Sequence, residues 1–99
     1  NTFKNKIINI HPSLLPSFKG NNAIKQAITS GSKITGCSVH FVEPEVDSGF
    51  LIMQAALSIS DQDNLDSITM KMHLLEHKIL PLSISQAGYL LRNGFKGND

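Results

Sequence analysis

IINIHPSLLPSFKG, residues 7–20, sets an apolar run against a polar stretch broken by two prolines. KIINI (residues 6 to 10) is short, isoleucine-rich and bounded by turn formers, the composition of a buried strand. Pro12 and Pro16 lack the N–H a further ladder bond would need and hold φ near about −65°, so the strand must end and a loop begin. Asn9 and His11 are separated by one residue at that strand end, and the period of two in a strand points both side chains to the same side.

Outward from this stretch the chain alternates in type. NNAIKQAITSG reads as a short helix: Asn21 or Asn22 can cap its start, Ala23, Ile24, Ala27 and Ile28 share a face, and Gly31 stands where a left-handed terminal residue is wanted. KITGCSVHFVEP, with Ile34, Val39, Phe41 and Val42, is a second strand ending at Pro44. FLIMQAALSIS is a third, antiparallel to the second because the intervening VEPEVDSG is too short for a parallel crossover. From Asp61 the period becomes helical. Asp63 and Asp66 have capping-box spacing, and Leu65, Ile68, Met72, Leu75 and Ile79 form one apolar stripe. Pro81 is expected to kink or break this helix, with a second helical run from Leu82 to Leu91 ending near Asn93 and Gly94. Strand, helix, strand, strand, long helix is an α/β order. In open α/β sheets ligands bind at the carboxyl ends of strands, where Asn9, His11 and the loop carrying Asp47 lie.

Composition narrows the function. The 99 residues are 40% hydrophobic and 17% charged, with a net charge of +1, values of an ordinary globular domain. No apolar run approaches the roughly 20 residues of a membrane span, and no signal peptide is evident, so a cytoplasmic location is expected. Nine Lys and Arg against eight Asp and Glu leave no basic excess for a nucleic-acid partner, and the single cysteine, Cys37, has no internal disulfide partner. The chain opens without Met and its first element begins at once, which suggests a fragment.

Asn9 and His11 can act jointly on a carbonyl, the His as acid or base and the Asn amide as a donor that does not titrate, or they can merely satisfy loop backbone groups. Asp47, ahead of Ser48 and Gly49, is either a third member of such a site or a turn residue, and spacing alone does not bring it to His11. Ile7 reads as strand core. Cys37 reads as a small buried thiol, without an activating neighbour. HLLEH, residues 73–77, satisfies the H-x-x-E-H form of a zinc peptidase. Its helix is already explained by the apolar stripe and no further acidic ligand helix follows, so no metal is expected.

NIHPSLLPSFKG followed by GCSVHFVEPEVDSG closely resembles the catalytic half of the phosphoribosylglycinamide formyltransferases, folate-dependent enzymes of purine biosynthesis. The likeness runs from about Ile7 to the long helix around Leu82. It implies that residues 1–99 are the C-terminal catalytic portion of a single formyltransferase domain, part of a Rossmann-like open sheet with flanking helices whose N-terminal half is missing. It implies a catalytic triad of Asn9, His11 and Asp47, and a co-substrate, 10-formyltetrahydrofolate, held by Ile7, Val42, Glu43, Pro44, Glu45, Val46 and Asp47. Pro12, His73 and Glu76 fall on the side of the second substrate, glycinamide ribonucleotide. Ser38 and His40 match positions that support the site.

In the resembling enzymes the substrate phosphate sits on a glycine-rich loop of the other half, and no such loop occurs here. The fragment alone is therefore expected to be inactive, and a parallel sheet lacking its neighbours would leave Ile7, Ile8 and Ile10 exposed along an unpaired edge. Methionyl-tRNA formyltransferase shares the triad and the S-L-L-P turn, but shows Arg-Gly and a proline where this chain has Phe18-Lys19-Gly20-Asn21. Formyltetrahydrofolate hydrolase, with water as acceptor, shares the triad too. A non-catalytic folate-binding piece is the alternative of a different class.

Overall fold

Side-chain alternation decides which side of the sheet each residue meets, and two different covers lie on those two sides. The computed structural model describes residues 7–42 and 50–93. Its elements are β1 (Ile7–His11), α1 (Ala23–Thr29), β2 (Ile34–Val42), β3 (Leu51–Ser58) and α2 (Leu65–Arg92). The strands form one sheet in the order β1-β2-β3. The expected antiparallel pairing of β2 with β3 is present, with Ser38 opposite Gln54 and an irregularity between Val39 and His40. β1 also runs antiparallel to β2, with Ile7 opposite Val42, Asn9 opposite His40 and His11 opposite Ser38. All pairs of the described sheet are thus antiparallel.

α2 covers one face. Cys37, Val39, Met72 and Ile79 make a buried cluster, against which Ile8, Ile10, Met53, Ala55, Leu57 and Leu75 pack. The other face is covered by the loop after β1. Ser13 is fully buried, and the Leu14 side chain lies over Gly36, where an added Cβ would meet Leu14 Cδ2 at 2.8 Å and collide with the Ala55 carbonyl oxygen. Ile7 is 59% exposed rather than buried, because it points away from α2 on a strand with one neighbour among the described residues. Ile8 and Ile10, expected to be exposed with Ile7 along an unpaired edge, are half-buried instead because they point toward α2 and pack on its cluster.

Both helix starts differ from expectation in their chemistry. Asn22 stands at the N-cap of α1 but with φ 62° and no side-chain cap bond; Gln26 Nε2 donates to the Asn21 carbonyl instead. Gly31 takes the left-handed φ of 77° as expected. In α2 the reciprocal capping box belongs to Asn64 and Ser67, not Asp63 and Asp66. Asp63 sits one residue outside, where the Ser60 backbone N–H, the Lys71 ammonium and the Ser67 hydroxyl hold its carboxyl well below the usual carboxylate range.

α2 also runs unbroken through Pro81 for 28 residues. A proline in a helix deprives the carbonyl four residues back of its N–H, here His77's. His77 and Pro81 are both exposed, so water can satisfy that carbonyl, while Ile79, Ser83, Ala87 and Gly88 stay buried on either side of the proline. Packing of this face outweighs the local cost.

Asn64→Ala is expected to lower the unfolding free energy by about 1 kcal/mol through loss of the cap, and Gly36→Ala by about 1–3 kcal/mol through overpacking against a backbone oxygen. Urea titration midpoints at unchanged slope measure both; an unaltered midpoint for Gly36→Ala would contradict the close approach of β2 and β3.

Candidate active site

The residues singled out at the end of β1 fall on the face away from α2. Asn9 is exposed and His11 half-buried. Asn9 Oδ1 accepts the Ile10 backbone N–H at 2.9 Å, so the group it can offer a ligand is the Nδ2 amide, a pure donor. His11 Nε2 lies 3.0 Å from the Phe18 carbonyl oxygen. A carbonyl has no hydrogen to give, so Nε2 carries the proton and donates; Nδ1 is left to face other chemistry. Cross-strand neighbours share a face, which puts His40 beside Asn9 and Val42 beside Ile7. His40 is 7% exposed and its Nδ1 bonds the Phe41 carbonyl at 3.2 Å.

The loop that presents Phe18 to His11 is tightly bonded. The Ser13 N–H returns to the His11 carbonyl at 2.9 Å and the Ser17 N–H to the Leu14 carbonyl at 3.0 Å. Ser13 Oγ donates to the Ser17 carbonyl at 2.6 Å. The Leu15-Pro16 bond, which the sequence leaves open, is cis, and Phe18 has φ 54°. Pro12, half-buried, begins this loop.

A second group of residues lies on the opposite side of β1. His73, Glu76, His77, Leu80 and Ile10 line a cavity of ≈ 360 Å³. Alternation puts Ile10 on the face of α2 and its neighbours Asn9 and His11 on the other. Glu76 is half-buried and His73 exposed. Among the described residues no group of three or more His, Cys, Asp or Glu could hold a metal ion, so the H-x-x-E-H spacing does not converge into a ligand set there.

Glu43, Pro44, Glu45, Val46 and Asp47 lie outside the described residues, so the folate loop and the third triad member have no geometry to report. Sequence reasoning overlooked Gln54 and Ser13, which hold the loop, and His77, Ile10 and Leu80, which join His73 and Glu76 around the cavity. Gln54 did carry a signal: it is the one polar side chain inside the apolar run LIMQAAL.

The family model described as formyl transferase matches residues 1–84. The chain belongs to the formyl transferase family. Among members with similar sequences, phosphoribosylglycinamide formyltransferase of Bacillus subtilis (strain 168) is 46% identical over 91 residues, which is 92% of this chain and 47% of that protein. The trifunctional purine biosynthetic protein adenosine-3 of Homo sapiens is 48% identical over 79 residues, 80% of this chain and 8% of that protein. The mitochondrial formyltetrahydrofolate deformylase 2 of Arabidopsis thaliana is 49% identical over 78 residues, 79% of this chain and 24% of that protein. The crystal structure of phosphoribosylglycinamide formyltransferase from Bacillus halodurans superposes with a TM-score of 0.78 at 41% identity, covering 89% of this chain and 44% of that one. This formyl transferase chain thus spans about half the length, or less, of the relatives it matches. Its α/β fold, with an antiparallel sheet and flanking helices, is that of part of the formyltransferase domain.

Cys37 is buried on the α2 face of this domain, and burial, then the nearby Glu76 carboxylate, pushes its thiol up from 9.0 to about 11. The folded state therefore keeps a proton that the unfolded state loses near pH 9. The thiol's contribution to stability is complete below pH 9 and is lost as pH rises toward 11. Unfolding free energies measured across pH 8–11 are expected to fall, and to fall less steeply in Cys37→Ala; equal slopes would contradict the raised thiol.

Proposed function

We propose that the protein to which this chain belongs transfers the formyl group of 10-formyltetrahydrofolate to the amine of glycinamide ribonucleotide, as a step of purine biosynthesis in the cytoplasm. The observation that carries the reading is the 46% identity over 91 residues to the B. subtilis phosphoribosylglycinamide formyltransferase, and Asn9 and His11 suit the chemistry it requires. The amine nitrogen attacks the formyl carbon, the carbonyl π electrons move to oxygen, and the oxyanion accepts hydrogen bonds from Asn9 Nδ2 and from His11. With Nε2 engaged by Phe18, the hydrogen His11 offers is the one on Nδ1 of the charged ring. Asp47 stabilises that charge and, through a bound water, passes the proton lost by the amine to the folate nitrogen as the bond from that nitrogen to the formyl carbon breaks.

The remaining residues have binding roles in this reading. Ile7 and Val42, neighbours across β1 and β2, form a wall for the folate ring together with the segment from Glu43 to Asp47. Glu76 accepts hydrogen bonds from the ribose hydroxyls, with His73 and Pro12 beside the nucleotide. The part of the domain before this chain completes the site, including the cradle for the phosphate. No metal takes part.

Hydrolysis of the formyl-folate is the second reading, favoured by the 49% identity to the Arabidopsis deformylase. The two differ in the acceptor. In the complete protein, tetrahydrofolate release followed optically is expected with glycinamide ribonucleotide and not with water or methionyl-tRNA alone; turnover with either of the latter would replace the proposed acceptor. His11→Ala and Asp47→Asn are expected to lower kcat by about 10²–10⁴-fold without unfolding the protein, and near wild-type rates would defeat the triad. Glu76→Gln is expected to raise KM for the nucleotide by roughly 10-fold, the loss of a charge-assisted hydrogen bond, and to leave KM for the folate unchanged.

A further inference from the structure

The polar cluster behind the loop of residues 12–18 is more elaborate than a strand-end turn requires. Ser38 Oγ, on β2, donates to the Ser13 carbonyl at 2.6 Å. It accepts the Leu15 N–H at 2.9 Å and Gln54 Nε2 at 3.0 Å, so its one proton and both lone pairs are in use. Gln54, on β3, gives its other amide hydrogen to the Leu15 carbonyl at 3.0 Å. The Leu15 residue is thus held at its N–H and at its C=O. Turning the Gln54 amide over would set its oxygen against the Leu15 carbonyl oxygen, so the amine side must face the loop.

From Leu15 the bonds lead to His11. The Ser17 N–H returns to Leu14, Ser13 Oγ holds the Ser17 carbonyl, and the next residue, Phe18, takes a left-handed backbone that aims its carbonyl at His11 Nε2. Gln54 is exposed, so no burial of its stem in the core accounts for a glutamine at this place in β3.

We propose that Gln54 is a positioning residue for His11: its amide sets the loop so that the Phe18 carbonyl accepts the Nε2 hydrogen, fixing the tautomer of the neutral ring and the orientation of the charged one, and leaves Nδ1 to meet the reacting group. The proposal rests on His11 acting in formyl transfer. In it, β3 contributes to the site without touching substrate. A shift of the Phe18 carbonyl by an ångström would release the ring to exchange between its two tautomers and orientations.

The test uses the complete protein with Gln54→Leu, which keeps a stem and removes both donors, and Gln54→Glu, which turns acceptors toward Leu15. In both, kcat is expected to fall by about 10–100-fold, the scale of a small misplacement of a reacting group, with KM for either substrate changed less than about twofold. Two-bond ¹H–¹⁵N spectra of the neutral His11 ring are expected to show the Nε2–H tautomer in the wild type and an average of both tautomers in Gln54→Leu. An unchanged ring signature in Gln54→Leu overturns the proposal, whether kcat is retained or falls along with thermal stability. His11→Ala, assayed in parallel, separates the two ideas: full activity there removes His11 from the chemistry, while the ring signature still decides whether Gln54 sets its tautomer.

Discussion

Two side chains of the sheet, Ser38 on β2 and Gln54 on β3, bond the loop on which the site depends, and Ser38 Oγ is where their bonds meet. The loop's prolines cannot donate to the sheet, and its own backbone bonds are local, so its polar ties to β2 and β3 come from these two side chains. Ser38 has all of its hydrogen-bonding capacity in use, and the group is fully buried, where an unmet donor or acceptor would be costly. Leu14 can then lie flat over Gly36, and the carbonyl of Phe18 arrives beside the imidazole of His11. The opposite side of the sheet is simpler: α2 contributes Met72 and Ile79 to an apolar cluster with Cys37 and Val39, and needs no particular polar geometry.

That contrast explains what could be read in the residues and what could not. β1 ends where Pro12 begins, β2 and β3 pair antiparallel because their connection is short, and Ile68, Met72 and Ile79 mark the buried stripe of α2. Each of these follows from local chemistry or from a period along the chain. The exposure of Ile7 was expected from the resemblance, which sets β1 beside absent strands, and not from the residue itself, because an isoleucine in a strand reads as core; the same expectation missed that Ile8 and Ile10 are half-buried against α2. The passage of α2 through Pro81 also lies beyond local reading: the proline falls on the exposed side, so burial continues across it.

The candidate site divides in the same way. Asn9 and His11 were legible as a pair because alternation alone gives them a common side. Of their surroundings only Ser38 and His40 were marked, and through resemblance, since Ser38, Gln54 and the loop come together through contacts separated by 16 to 39 positions in the chain. The assignment of Glu76 and His73 to the nucleotide came from resemblance. The cavity adds Ile10, His77 and Leu80 beside them, and it lies on the reverse side of the strand that carries Asn9 and His11.

β1 is therefore a two-sided element only five residues long. One extra or missing residue upstream of Asn9, absorbed as a slip in its pairing with β2, would exchange its faces: Ile8 and Ile10 would turn toward the loop and Asn9 and His11 toward α2. Asn9 and His11 would leave the site and Ile10 the cavity in one event, and the apolar cluster would receive an imidazole and an amide. Replacing an individual isoleucine here alters only one contact. Over evolutionary time this strand should accept exchanges of side chain far more readily than any change in its length.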